Sequence, residues 1–160
     1  MRLNGGRFFP AFLGLAATAC AAGAEKPAPP PATVSQAQWA KQCKANDEWS
    51  RPGPPYRIWG NSWYVGTCGI TAVLVTSDYG HILIDGGPND AGGLVAKNIE
   101  ALGFRLSDIK LLLMTHEHLD HVGGLAELQR LTGAGLLASA RAAPVMQNGG
   151  IPGDDDPQKG

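Results

Sequence analysis

The sequence changes character abruptly at residue 114, and that change limits what the chain can fold into. Residues 109–114 are aliphatic apart from Lys110 and Met114, as a strand buried on both faces would be. Thr115-His116-Glu117-His118-Leu119-Asp120-His121 follows without a linker, and Gly123-Gly124 leads on into an amphipathic segment. An ionisable cluster is thereby placed at the carboxyl end of a strand, where the loops of an open sheet converge.

The segments on either side supply the rest of the sheet. Residues 56–59, 62–65, 70–76 and 81–85 are rich in β-branched and aromatic residues, and Gly60-Asn61, residues 66–69 and residues 78–80 punctuate them. This pattern predicts short strands joined by tight turns. Ser77-Asp78-Tyr79-Gly80 suits a hairpin in which Gly80 takes positive φ. Residues 90–102 predict a helix with Leu94, Val95, Ile99 and Leu102 on one face and Gly103 beyond its end. Residues 124–131 predict another with a stripe of Leu125, Leu128 and Leu131, and residues 136–139 a further strand. Ser139 is a candidate cap for a helix that has Pro144 near its start, and the chain after Gln147 reads as loop. Upstream, Ser35 and Gln38 form a capping-box pair that opens a helix to about residue 45. A strand meander followed by helix, strand, helix and strand predicts an α/β fold: a mixed sheet with helices on one face.

Three of the four histidines lie within residues 116–121. His116 and His118 are one residue apart, so an extended segment points both imidazoles the same way. Asp120 and His121 continue round the turn and reach either a second metal or the open side of the first. Imidazole and carboxylate donors suit Zn²⁺. Catalytic zinc lowers the pKa of its bound water to roughly 7 and so generates a nucleophile at neutral pH. The alternative is a polar loop without metal. His116-Glu117 does not begin a His-Glu-x-x-His helix motif, because position 120 is Asp; Glu117 reads as solvated. His81 reads as an ordinary exposed strand residue. Asp85, at the end of Ile82-Leu83-Ile84 and before Gly86-Gly87, is either a turn cap or an acid that orients the ligands from behind.

The termini address location. Arg2 and Arg7 precede an apolar, small-residue stretch to Ala24, with small-x-small sites at Ala17-Thr18-Ala19 and Ala22-Gly23-Ala24. Residues 1–24 therefore read as an export signal leading to the periplasm, too short and alanine-rich for a membrane span. Cys20 offers a lipid-anchor alternative to simple release. Residues 25–34, with Pro27, Pro29, Pro30 and Pro31, read as a stiff linker, and residues 35–160 as the domain. Cys43 and Cys68 then remain, and in an oxidising compartment they pair unless both stay free thiols. A net charge of −1 and 17% charged residues give no reason to expect a nucleic-acid partner.

The run Thr115-His116-x-His118-x-Asp120-His121-x-Gly123-Gly124 resembles the signature of the metallo-β-lactamase superfamily. Residues 60–87, with Gly60-Asn61-Ser62-Trp63-Tyr64-Val65-Gly66-Thr67-Cys68-Gly69 and Ile84-Asp85-Gly86-Gly87, resemble the third subclass of the class B β-lactamases, as do residues 95–105. The similarity extends from about Trp39 to the end. It implies an αββα sandwich, of which these residues form the N-terminal half, and two zinc ions. His116 and His118 would serve one zinc. Asp120 and His121 would serve the other, and Asp120 would act catalytically by orienting the hydroxide that opens a small-molecule β-lactam. Asp85 matches the family's acid below the metal loop, and Cys43 and Cys68 fall where some members carry a disulfide. No histidine follows His121, whereas the family takes further ligands from its second half. The chain is therefore expected to be part of a longer enzyme, its sheet lacking a partner layer. Thioesterases and lactonases share the loop, and a non-catalytic zinc-binding remnant is the third possibility.

Overall fold

The computed structural model describes residues 33–44 and 48–148. The expected export signal with Cys20, nearly all of the expected linker and the expected loop beyond Asn148 lie outside the described residues.

Helix α1 (Gln36–Gln42) starts at the expected box: Ser35 Oγ accepts from the Gln38 amide at 3.2 Å, and the Ser35 amide donates to Gln38 Oε1 at 2.8 Å. It stops short of residue 45, because Cys43 turns into extended backbone and bonds to Cys68. The two cysteines are thus paired across 25 residues, and the free-thiol alternative falls.

Strands β1 (Tyr56–Trp59), β2 (Ser62–Tyr64), β3 (Val73–Val75) and β4 (His81–Ile84) form an antiparallel meander. Helix α2 (Gly92–Ala101) and a 3₁₀ turn (Leu106–Asp108) lead into β5 (Ile109–Leu113), which runs parallel to β4. Two helices, α3 (Leu119–Val122) and α4 (Leu125–Thr132), then lead to β6 (Gly135–Leu137), parallel to β5, and α5 (Ala143–Gln147) follows. The result is one six-stranded mixed sheet in sequential order, the α/β arrangement the pattern implied.

One face is the core. Trp63, Leu74, Leu83 and Leu112 lie side by side across β2 to β5 and are buried beneath Val95 and Ile99 of α2 and Leu125 and Leu128 of α4. Each buried side chain of this size contributes about 1.5–3 kcal/mol relative to exposure. The other face carries Val73, Val75, Ile82, Ile84, Leu111 and Leu113, all half-buried. The expectation of a β5 buried on both faces is corrected accordingly: Leu112 is enclosed, its neighbours are partly open, and Lys110 is exposed. The expected strand over residues 70–76 contracts to β3, because residues 65–72 form a turn tied by Thr67, whose Oγ accepts from the Ile70 amide at 2.8 Å. Leu131, expected in the α4 stripe, is 45% exposed, one residue before the helix ends. Ser139, expected as a cap, is not the N-cap of α5, which is Ala142; its Oγ accepts from the Ala142 amide at 3.1 Å in the turn just before the helix.

Candidate metal centre

Parallel pairing of β4 and β5 brings their carboxyl ends together, so Asp85 and Thr115 emerge as neighbours. The Asp85 amide donates to Leu113 O at 2.9 Å. Asp85 then takes φ of 62°, the one non-glycine residue with positive φ among the described residues. That conformation costs of order 1–3 kcal/mol and needs holding. Its carboxylate supplies the hold: Oδ1 accepts from the Thr115 amide at 2.8 Å, and Oδ2 lies 2.8 Å from Thr115 Oγ1 and 2.9 Å from His121 Nδ1. Asp85 is 4% exposed, so these partners compensate a charge that would be costly to bury alone. Beyond any turn of its own, Asp85 bonds to the loop that carries the histidines, through Thr115 and His121.

The loop carrying the histidines is not extended throughout. His118 caps α3, accepting at its carbonyl from the His121 and Val122 amides at 2.9 and 3.0 Å. Asp120 and His121 therefore sit on one helical turn, where the sequence predicted only a loop. The four-residue element is too short to leave a periodic signal. Backbone contacts clamp it against residues 86–87: the Gly86 amide donates to His121 O at 2.8 Å and the Gly124 amide to Gly87 O at 3.0 Å. The fit requires glycine, since a Cβ at Gly124 would stand 2.2 Å from Gly86 O and one at Gly123 2.5 Å from the Asn89 amide.

This scaffold gathers the predicted donors. The His116 ring lies 4.4 Å from that of His118 and 4.2 Å from that of His121, centroid to centroid. Asp120 is 6% exposed; its Oδ2 is 3.5 Å from His121 Nε2, and its Oδ1 is buried without a hydrogen-bond partner. A buried carboxylate oxygen left unpartnered on the residue that contacts His121 fits a cation-binding role. As the side chains stand, no three such donors among the described residues close into a coordination shell. Thr115 was not singled out from the sequence, and a hydroxyl beside a histidine carries no signal of its own.

His81 departs from its expected exposure. It is half-buried, with its ring edge-on to Phe104 at 5.3 Å and its Nδ1 accepting from the Ser77 amide at 3.3 Å. It sits at the opposite end of β4 from the cluster.

The fold and the loop define a class that sequence comparison states directly. Residues 65–158 match the model of the metallo-beta-lactamase superfamily, and the chain belongs to that family. Within it, the chain is 54% identical to the metallo-β-lactamase MIM-1 from Novosphingobium pentaromativorans, covering 76% of this chain and 45% of that one with a TM-score of 0.71. It is 49% identical to MEM-A1, a subclass B3 metallo-β-lactamase from a soil metagenome library, over 61% of this chain and 37% of the other, with a TM-score of 0.60. A hydroxyacylglutathione hydrolase of Cereibacter sphaeroides is 33% identical over 87 residues, 48% of this chain and 33% of that protein. The chain thus spans less than half the length of these relatives.

Proposed function

We propose that this chain carries the N-terminal part of the zinc site of a β-lactam-hydrolysing enzyme of subclass B3. The observation that carries the reading is the buried Asp120, whose Oδ1 has no hydrogen-bond partner and whose Oδ2 lies 3.5 Å from His121 Nε2, next to the clustered rings of His116, His118 and His121. The identity to subclass B3 structures supports the substrate.

In this reading His116 and His118 hold one Zn²⁺, and Asp120 and His121 hold a second. Bound zinc supplies a water of pKa roughly 7 and an electrophile for the lactam carbonyl. The chain's own residues do the positioning. Asp85 keeps His121 turned so that Nε2 faces the site. Asp120, whose Oδ1 has no hydrogen-bond partner, acts catalytically by orienting the nucleophile. The Gly123-Gly124 contact keeps the donor-bearing loop pressed on residues 86–89. The substrate is a small β-lactam, with no nucleic acid as partner.

Residues 1–24 direct export to the periplasm, with Cys20 as a lipid-anchor alternative, and residues 25–34 act as the linker to a domain from residue 35. Among the described residues no helix is long and apolar enough to cross a membrane.

The hydroxyacylglutathione hydrolase relative favours a thioesterase as the second reading; lactonase activity and a non-catalytic zinc-binding remnant stand behind it. The test is zinc binding and turnover, measured on this chain and on the product of its uninterrupted reading frame. Nitrocefin opening that Asp120→Ala abolishes, with no thioester cleavage, supports the lactamase. Thioester cleavage without lactam opening contradicts it.

A further inference from the structure

We infer that Thr115 is a positioning residue which, together with Asp85, decides which ring nitrogen His116 presents to a metal. The inference rests on the zinc reading above for its consequence, and on hydrogen-bond geometry alone for its substance.

The Thr115 hydroxyl stands between two groups. It lies 2.8 Å from Asp85 Oδ2 and 3.0 Å from His116 Nδ1. Asp85 already acts as an acceptor, taking the Thr115 amide proton on Oδ1, and the hydroxyl donates to its other oxygen. Turning that proton toward His116 instead would leave the hydroxyl oxygen 2.8 Å from an anionic oxygen, the more costly arrangement. With its one proton committed, Thr115 Oγ1 faces His116 with lone pairs only. A bare Nδ1 at 3.0 Å would set lone pair against lone pair, so His116 Nδ1 carries the proton and donates. His121 reaches the same state directly, because its Nδ1 has the acceptor-only Asp85 Oδ2 at 2.9 Å.

Both rings are thereby left with Nε2 unprotonated and able to bind a metal, that of His121 3.5 Å from Asp120 Oδ2. One buried carboxylate controls two imidazoles, one by contact and one through a hydroxyl. In the zinc reading these imidazoles serve different ions, so the relay ties the first zinc to an acid that touches only the second zinc's ligand. A threonine suits the post, because its branched side chain is stiff at χ1 and holds the hydroxyl between its partners.

The test is a long-range ¹H–¹⁵N spectrum of the imidazoles in the metal-free chain, recorded at a pH where all are neutral. The expected spectrum has His116 and His121 both protonated on Nδ1. Thr115→Val should release His116 from that tautomer and leave His121 in it, and Thr115→Ser should restore it. Zinc affinity by chelator competition should fall about 10–100-fold for Thr115→Val and recover with Ser. His116 protonated on Nε2 in the unaltered chain overturns the inference, and so does a Val variant with an unchanged His116 tautomer. The unaltered chain decides the matter even where the Val variant does not fold. Both expected tautomers in a chain that binds no zinc would support the relay and refute the zinc reading.

Discussion

Asn98→Ala should destabilise the fold by about 2–6 kcal/mol without touching the histidine loop. Asn98 is 6% exposed on α2, and its Nδ2 donates to Gly53 O at 3.1 Å, Val65 O at 3.0 Å and Gly66 O at 3.1 Å. The amide has two protons, so two bonds are made at full strength and the third is shared. Two net hydrogen bonds contribute roughly 1–3 kcal/mol, and a buried carbonyl left without a donor costs about 1–3 kcal/mol more. Gly53, Val65 and Gly66 are buried, so water does not replace the lost donor. Asn98→Asp keeps the shape but removes both donors and sets a carboxylate against three carbonyls, so it should be the worse variant. Urea unfolding followed by tryptophan fluorescence reads both. An Ala variant within about 0.5 kcal/mol of the parent, or an Asp variant milder than Ala, would refute the reasoning.

Other perturbations reach different parts of the account. Burial raises the Tyr64 phenol to about 12. The folded value lies above the unfolded one, so the neutral phenol's contribution is complete below about pH 10 and lost as pH climbs toward 12. Tyr64→Phe should remove most of that alkaline loss in melts scanned against pH, leaving the smaller part due to Tyr56, whose phenol burial also raises. Asp85→Asn should weaken zinc binding about 10–100-fold by chelator competition, because the amide offers His121 Nδ1 a donor where it needs an acceptor. Reducing the Cys43–Cys68 bridge should cost about 3 kcal/mol in denaturant titrations, as expected for opening a loop of 25 residues. Gly124→Ala should spread the loops at 86–87 and 123–124, because its Cβ would meet Gly86 O at 2.2 Å. It should lower zinc affinity and thermal stability together.

What was legible in the sequence follows from which signals are local. The capping box at Ser35 and Gln38, the meander and the ligand cluster after β5 all rest on neighbours in the chain. The α/β order followed from them. Contacts across the sheet left weaker traces. Asp85 looked equally like a turn residue, because the loop it supports lies 30 residues further on at Thr115. Thr115 stood in the matched run but with no role of its own, since that role exists only where β4 and β5 end side by side. The α3 turn was too short to read, and His81 looked exposed because its cover, Phe104, comes from the far end of the β4–β5 crossover.

The most direct measurement of the central claim is a zinc titration of the metal-free chain followed through its four imidazoles. The account predicts that the His116, His118 and His121 resonances shift together while His81, at the other end of β4, stays fixed. Zinc that moves His81 equally, or leaves the cluster unmoved, would contradict it.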